Sequence, residues 1–352
     1  MKVLVTGATG YVGGRLVPPL LSAGHEVRTT TTDPSREGPW WSARVETVRM
    51  DIADSDDVAA AIDGVDAVYY LIHGMGRGSG FAEKDRQAAQ NLASAVTARG
   101  TPRVVYLSGI VPDVDPAELS EHITSRLEVE QILNATPATV ITLRAAVLLG
   151  SGSTSFEIIR QVTERLPIQT VPTWMNSDVQ PIAIVDAIAA LLGALTVQGA
   201  SRSYDIGGPD RVPYAELLDR YAGIAGLVRP QVLVPLLPTD LVGALVGALT
   251  DVPTATVQAL VESLHHDMVC ADEDFRRDLL PSGYQLVRLD DAIRRSLPDP
   301  RRESPADPDT ADPMGPMPQD PVWAAGGADQ PLLAKAMDVV QDTFGSVFPD
   351  RT

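Results

Sequence analysis

Over the first 150 residues, short apolar runs alternate with stretches of helical periodicity. Strands are predicted at Lys2–Thr6, His25–Thr30, Val45–Asp51, Ala67–Ile72, Val104–Ser108 and Thr139–Leu143. Helices fall between them: one entered through the turn Gly7–Gly14 and running to about Ala23, then Ser55–Ile62, Phe81–Arg99 and Pro116–Asn134. The runs VLV, AVYYLI and RVVYL lack polar alternation, so both faces of these strands are expected to be buried, as in parallel strands covered by helices on each side. The fold class that follows is α/β, a Rossmann-type doubly wound parallel sheet with a smaller C-terminal substrate lobe.

Beyond Gly150 the regular alternation loosens into short helices and Pro-broken segments. Residues 1–150 are read as the Rossmann core. Residues 151–296 are read as a substrate-side lobe with segments returning to that core. Residues 297–330 follow as a Pro/Asp-rich linker and 331–352 as a C-terminal helix. Pro298–Pro321 holds eight Pro and five Asp, a composition that buries little apolar surface and is expected to be disordered or extended. Gln330–Phe348 places Leu332, Leu333, Met337, Val340 and Phe344 on one helical face.

The chemistry begins at Thr6-Gly7-Ala8-Thr9-Gly10-Tyr11-Val12-Gly13, a G-x-x-G-x-x-G turn between a strand and a helix. Gly7 permits the tight turn, Gly10 lets the backbone approach a pyrophosphate, and Gly13 lets the helix pack closely on the sheet. The helix N-terminus supplies free N–H groups and the positive end of its dipole. Thr9, Tyr11 and Val12 complete this dinucleotide-binding turn. Asp51 and Ile52, ending the third strand, are expected at the adenine, and Leu71 and His73, ending the fourth, at the ribose. Arg28 and Arg36, with the threonines between them, suit a 2′-phosphate, which favours NADP(H) over NAD(H); Asp33 falls late, in a turn with Pro34. Gly74–Gly80 is a glycine-rich loop that would serve as a lid, or only as a flexible surface loop.

Charge and composition narrow the partners. Lys and Arg total 28 against 46 Asp and Glu, a net charge of −18, which repels phosphate backbones and anionic lipid; no nucleic-acid partner is expected. No run of 18 uncharged apolar residues is present, so no membrane span is predicted. Val3-Leu4-Val5 meets Thr6-Gly7 too soon for a signal-peptide core, which gives a cytoplasmic protein. The single cysteine, Cys270, excludes an intramolecular disulfide and a Cys-cluster metal site. The adjacent pair His265-His266 faces two ways on a helix and is a poor metal site.

TGATGYVG, Tyr106-Leu107-Ser108-Gly109 and Leu143-Arg144 resemble the atypical short-chain dehydrogenase/reductases, in particular their NmrA-like group. Pro181-Ile182-Ala183-Ile184 and Tyr204-Asp205-Ile206-Gly207-Gly208-Pro209 fit the same resemblance, which covers about residues 1–296. Members typically work through Ser, Tyr and Lys, with Tyr-x-x-x-Lys on one helix face. Here that pair is absent: the chain has only Lys2, Lys84 and Lys335, and Gly80 and Pro331 stand four residues before the latter two. His122 and Arg126 occupy the expected helix at the same spacing, and Ser108 ends the fifth strand where the family's Ser stands. The resemblance thus implies Ser108 as the substrate-orienting hydroxyl, Arg126 as the holder of the ribose, and His122 as a weak acid or an orienting group. Tyr70 and His73 are further catalytic candidates at the same end of the sheet, with core packing the alternative for Tyr70.

Ser151–Phe156 forms another loop at a strand's carboxyl end. Trp174, Met175 and Leu236-Leu237 suggest an apolar or aromatic small-molecule substrate, or else lobe core or a homodimer contact, and Val242, Leu245, Val246 and Leu249 form one apolar stripe of a short helix. Longer relatives continue past such a linker into a further domain, and the resemblance implies a single-module version here. The function expected is an NAD(P)H-dependent reductase transferring hydride to a carbonyl, quinone or activated double bond. The alternative is a cofactor-holding sensor without turnover. A homodimer through Phe81–Arg99 and Pro116–Asn134 would follow the superfamily's habit.

Overall fold

The computed structural model describes residues 1–72, 80–235, 237–297 and 307–324. In chain order the strands of its central layer are β1 (Lys2–Val5), β2 (Glu26–Thr31), β3 (Glu46–Arg49), β4 (Ala67–Tyr70), β5 (Arg103–Gly109) and β6 (Thr139–Ala145). Short strands follow: β7 (Leu148–Leu149), β8 (Gln169–Pro172), β9 (Asp178–Val179), β10 (Ile182–Ala183), β11 (Arg202–Ile206), β12 (Val212–Pro213) and β13 (Gln231–Val234). The main sheet runs β11-β6-β5-β4-β1-β2-β3 with every pairing parallel. The chain reverses direction across the sheet between β1 and β4, and that switch point opens a crevice at the strands' carboxyl ends.

The two faces of the sheet are buried in separate apolar clusters. Val3, Val5, Tyr69, Val105 and Leu107 face one, while Leu4, Val68, Tyr70, Val104 and Tyr106 face the other. Helices α1 (Tyr11–Ser22), α2 (Ser55–Ile62), α3 (Phe81–Arg99), α4 (Glu121–Asn134), α5 (Thr154–Arg165) and α6 (Ile184–Thr196) link the strands and cover these faces. The predicted spans of α2 and α3 agree with the structure, because Asp54 caps the first through the N–H groups of Asp56 and Asp57 and a left-handed Gly100 closes the second. Helix α4 starts later than its predicted Pro116. Residues Pro116–Glu118 form a separate 3-10 turn, and Ser120 caps the helix through the Ile123 N–H.

Helix α1 runs unbroken through Pro18 and Pro19. Proline at 18 has no N–H to offer the Gly14 carbonyl, and the buried Trp41 supplies the missing donor through Nε1 at 3.2 Å. The lobe is built from α5, α7 (Tyr214–Ile224), α8 (Thr239–Leu249) and α9 (Thr254–Glu262), with β11 returning to the edge of the main sheet.

The Pro/Asp-rich segment corrects the sequence reading wherever it is described. Residues 307–324 fold back onto α1 and α5 instead of running free. Met314 is fully buried and accepts the Ser151 N–H through its carbonyl. The Arg15 guanidinium, itself buried, donates to both carboxylate oxygens of Asp320 and to the carbonyls of Pro313, Ser151 and Gly315. Composition missed this because the segment carries few apolar residues, Met314 and Met317 among them, and its polar anchor is a charge far away on α1. The expected C-terminal helix at 331–352 lies outside the described residues.

Candidate functional site

The glycine turn sits between β1 and α1 at the switch point. Gly7 adopts φ +66°, a conformation that disfavours any side chain, and a Cβ there would come within 3.1 Å of the Leu71 carbonyl. A Cβ on Gly13 would lie 2.4 Å from the Gly7 carbonyl, so only glycine lets α1 approach the turn this closely. A Cβ on Gly10 would meet only the Gly7 carbonyl, at 3.1 Å, and would otherwise enter open space. Helix α1 begins behind Gly10 with no side-chain cap and no acidic residue in its first turn. Its leading N–H groups, those of Tyr11 and Val12 among them, therefore suit an anion, and the turn fits a dinucleotide's pyrophosphate. Thr6 fixes the neighbouring strand ends. Its hydroxyl donates to the Tyr69 carbonyl and accepts the Leu71 N–H.

Asp51 and Ile52 follow β3 at the same end of the sheet. Asp51 is exposed and caps its own turn by accepting the Ala53 N–H. Leu71 lies beside Gly7, whereas His73 and residues 74–79 of the glycine-rich loop lie outside the described residues.

The two arginines expected at a 2′-phosphate separate. Arg28 is buried in β2 and fully engaged, donating to the Glu46 carboxylate and to the carbonyls of Ala61 and Asp63. Its position one residue after the buried Val27 turns it to the sheet face carrying α2, so it closes that helix's C-terminus instead of reaching a cofactor. Arg36 is exposed in the turn after β2, where Asp33 accepts the Ser35 N–H and hydroxyl.

Strand β5 and helix α4 bring Ser108, His122 and Arg126 together on one cavity of about 190 Å³, as their positions in the sequence suggested. Ser108 Oγ is buried and makes no hydrogen bond within 3.5 Å among the described residues, although the Tyr106 hydroxyl two residues back on β5 lies near enough to interact with it. Arg126 Nε donates to His122 Nε2 at 3.0 Å, the i, i+4 contact that one helix face permits. That bond requires an unprotonated Nε2. Burial first, and the Arg126 charge second, hold the His122 pKa down to about 3. His122 is thus a neutral imidazole near pH 7, and its remaining N–H is at Nδ1.

Tyr70 is not part of this group. It is 1 % exposed, sits in the apolar cluster against Tyr106 with ring centroids 5.7 Å apart, and belongs to the core. The sequence reading missed a second role for Tyr11. Beyond its backbone N–H, its side chain lines the cavity, and its buried hydroxyl has no partner among the described residues. Burial raises the Tyr11 pKa, with the Arg15 guanidinium 4.1 Å from the ring centroid working the other way. The walls contributed by Tyr214, Leu264 and Met268 were also missed, because nothing local in the sequence points a lobe residue at a distant strand end. Ser153, Thr154 and Ser155 reach the cavity, but Thr154 and Ser155 form the first turn of α5 and not a loop, and Phe156 is buried in the core.

A parallel sheet with an uncapped glycine turn at its switch point and a polar cluster beside it defines a dinucleotide-binding protein of the Rossmann class. Residues 7–170 match a family model described as NAD(P)H-binding. A 3 beta-hydroxysteroid dehydrogenase/Delta 5→4-isomerase of Mycobacterium tuberculosis is 36% identical over 118 residues. That match covers 30% of this chain and 31% of the relative, so it spans about a third of the relative's length. Two solved structures share the fold. The enzyme WbmH of Bordetella bronchiseptica in complex with NAD+ superposes with TM-score 0.61 at 18% identity, covering 83% of this chain and 96% of that one. A short-chain dehydrogenase/reductase superfamily protein of Agrobacterium tumefaciens with bound NAD gives TM-score 0.56 at 20% identity, covering 67% and 86%. Residues 7–170 thus resemble NAD(P)H-binding domains, on a fold shared with structures of the short-chain dehydrogenase/reductase superfamily. Among the described residues, no helix is long and apolar enough to cross a membrane.

Proposed function

We propose that the protein is an NAD(P)H-dependent oxidoreductase that delivers hydride to a carbonyl, quinone or activated double bond of a largely apolar small molecule. The observation that carries this reading is the grouping of the buried Ser108 hydroxyl, short of a close hydrogen bond, with a neutral His122 on one cavity whose further walls include Val147, Ile158 and Leu264. A buried hydroxyl short of a close hydrogen bond costs up to about 3 kcal/mol, a cost that a substrate oxygen accepting its proton would remove. The nicotinamide would supply the hydride when bound. Ser108 then donates a hydrogen bond to the substrate oxygen as negative charge builds on it. Neutral His122 serves as a second hydrogen-bond donor through Nδ1 and not as a proton reservoir, since its acidic form is not populated near pH 7. Arg126 uses Nε on His122, and its terminal amino groups suit the ribose hydroxyls. The apolar substrate class agrees with the steroid named for the mycobacterial relative.

The cofactor preference proposed is NADP(H), now resting on Arg36 and the threonines that end β2, without Arg28. The test is calorimetric titration with NADPH and NADH, followed by turnover of quinones and enones by wild type and Ser108→Ala. NADPH binding with turnover that falls about tenfold or more in Ser108→Ala supports the reading; unchanged turnover in the variant removes Ser108 from the mechanism. The pinned, non-acidic His122 favours a second reading, a cofactor-holding sensor. Tight NADPH retention with no turnover of any substrate would select it.

A further inference from the structure

A second cavity of about 270 Å³ lies beyond the first, between α5, α7 and the α8–α9 helix pair. Four residues, Ile158, Tyr214, Val261 and Leu264, line both. Among the described residues no Asp, Glu, Lys or Arg lines the second chamber, and its walls include Val162, Trp174, Leu218, Val242 and Val246. Its roof is built closely: Gly243 packs against Gln258 and Gly247 against Thr254, where a Cβ would lie 3.1 Å and 2.6 Å away. Yet within α8 only those two glycines are buried. Its aliphatic side chains Val242, Leu245 and Val246 are half-buried and line the cavity, with Val242 and Val246 also packed against the small apolar cluster of α5 and α9. The floor is pinned by polar contacts that leave no unmet donor. Trp174 Nε1 donates to the Leu237 carbonyl, and its ring stacks on His265 at 4.5 Å.

We propose that the two chambers form one elongated site for a neutral, extended apolar substrate with a single polar end. That end lies against Ser108 and His122, and the hydrocarbon body runs past Tyr214 and Leu264 to lie under α8. This deepens the function proposed above and rests on it for the identity of the reactive end. Neither chamber alone reaches the roughly 300 Å³ at the lower end of small-ligand pockets, whereas the two together do. The absence of charge in the second chamber rejects a substrate with an ionised tail, because a charge there would be buried unpaired.

The test uses the full chain and the neutral fluorescent probe N-phenyl-1-naphthylamine, displaced by alkan-2-ones. Affinity is expected to rise roughly fourfold per methylene from about six to about fourteen carbons. Val246→Trp, which fills the chamber from the roof, should stop that rise for the long ketones while leaving short-ketone affinity and NADPH affinity unchanged. Val162→Phe, from the α5 wall, gives the same readout with less bulk should Val246→Trp not fold. An affinity that levels off at the same short length in wild type and both variants overturns the proposal. Long ketones that bind with the expected gain but consume no NADPH or NADH would sink the reductase reading and leave the elongated site standing. Short ketones reduced as well as long ones, with the variants indifferent, would do the reverse.

Discussion

Removing the carboxylate of Asp320 should cost the protein about 3 kcal/mol. The Arg15 side chain is fully buried and that of Asp320 is 8 % exposed, with their closest atoms 2.6 Å apart. Breaking such a pair costs about 3–5 kcal/mol, mostly for the charge left behind. Asp320→Ala belongs at the lower end, because the carbonyls of Pro313, Ser151 and Gly315 still accept from the guanidinium. The variant also loses the bond from the Met317 N–H to the carboxylate. For a chain of this length, with an unfolding entropy of about 2.1 cal/mol/K per residue, 3 kcal/mol lowers Tm by about 4 °C. Urea denaturation followed by circular dichroism measures the first quantity, and a thermal melt the second. Arg15→Met removes the charge while keeping most of the side chain's volume. Asp320→Ala on that background should cost at least about 1 kcal/mol less than on the wild type, as groups in one network do. Limited proteolysis adds an independent readout, since a released segment exposes residues 307–324 to cleavage. An Asp320→Ala protein with an unchanged midpoint and an unchanged digestion pattern would refute the claim that this segment is clamped to α1.

Gly10→Val should abolish cofactor binding in calorimetry while shifting Tm by only a few degrees, because the added side chain meets the Gly7 carbonyl and then enters the space assigned to the pyrophosphate. Arg36→Ala should weaken NADPH by up to about fivefold and leave NADH unaffected, given at most about 1 kcal/mol for an exposed charge contact, whereas Arg28→Ala should lower Tm without changing the ratio of the two affinities. His122 carries a folded-state pKa of about 3 against 6.5 ordinarily, so the unfolded chain takes up the proton first. The stability this neutral group contributes is complete above about pH 6.5 and is lost as pH falls toward 3, by about 2 kcal/mol at pH 5. Urea midpoints at pH 7.5 and 5 should show that slope in wild type and less of it in His122→Gln.

The core of the fold is legible because its signals are local. Unbroken apolar runs mark β1, β4 and β5 as strands covered on both faces, and the glycine spacing marks the turn that β1 must feed. The grouping of Ser108, His122 and Arg126 is legible for a related reason: a strand end and the next helix of a parallel sheet always meet at the sheet's carboxyl edge. What escaped the sequence depends on partners far along the chain. Arg28 has the right charge and the right strand for a 2′-phosphate, but the face it occupies is decided by the residues packed across it, Glu46 and the end of α2. The segment at 307–324 has the composition of a free linker. The signal that contradicts it is elsewhere, in Arg15, a lone charge within the otherwise apolar VGGRLV stretch that had to find a buried anion. Tyr70 is open to two readings in the sequence, catalysis and core packing, and its burial against Tyr106 in the apolar cluster favours the core.

The replacement of Tyr-x-x-x-Lys by His122 and Arg126 keeps the spacing and changes the chemistry. A lysine beside a tyrosine lowers the phenol's pKa at a distance and leaves its hydroxyl free for the substrate. Arg126 instead contacts its partner directly, and Nε occupies the one imidazole nitrogen that would otherwise take a proton. The pair is therefore fixed in orientation and fixed in charge: a permanent cation behind a neutral donor. Such a pair can stabilise negative charge developing on a substrate oxygen without itself exchanging protons, and catalysis by electrostatic preorganisation asks for nothing more of it. In the reduction proposed above the proton would then come from solvent, and the cavity-lining hydroxyls of Ser108 and Tyr11 are the groups placed to pass it. Burial raises the Tyr11 pKa, so that hydroxyl remains a donor across the physiological range.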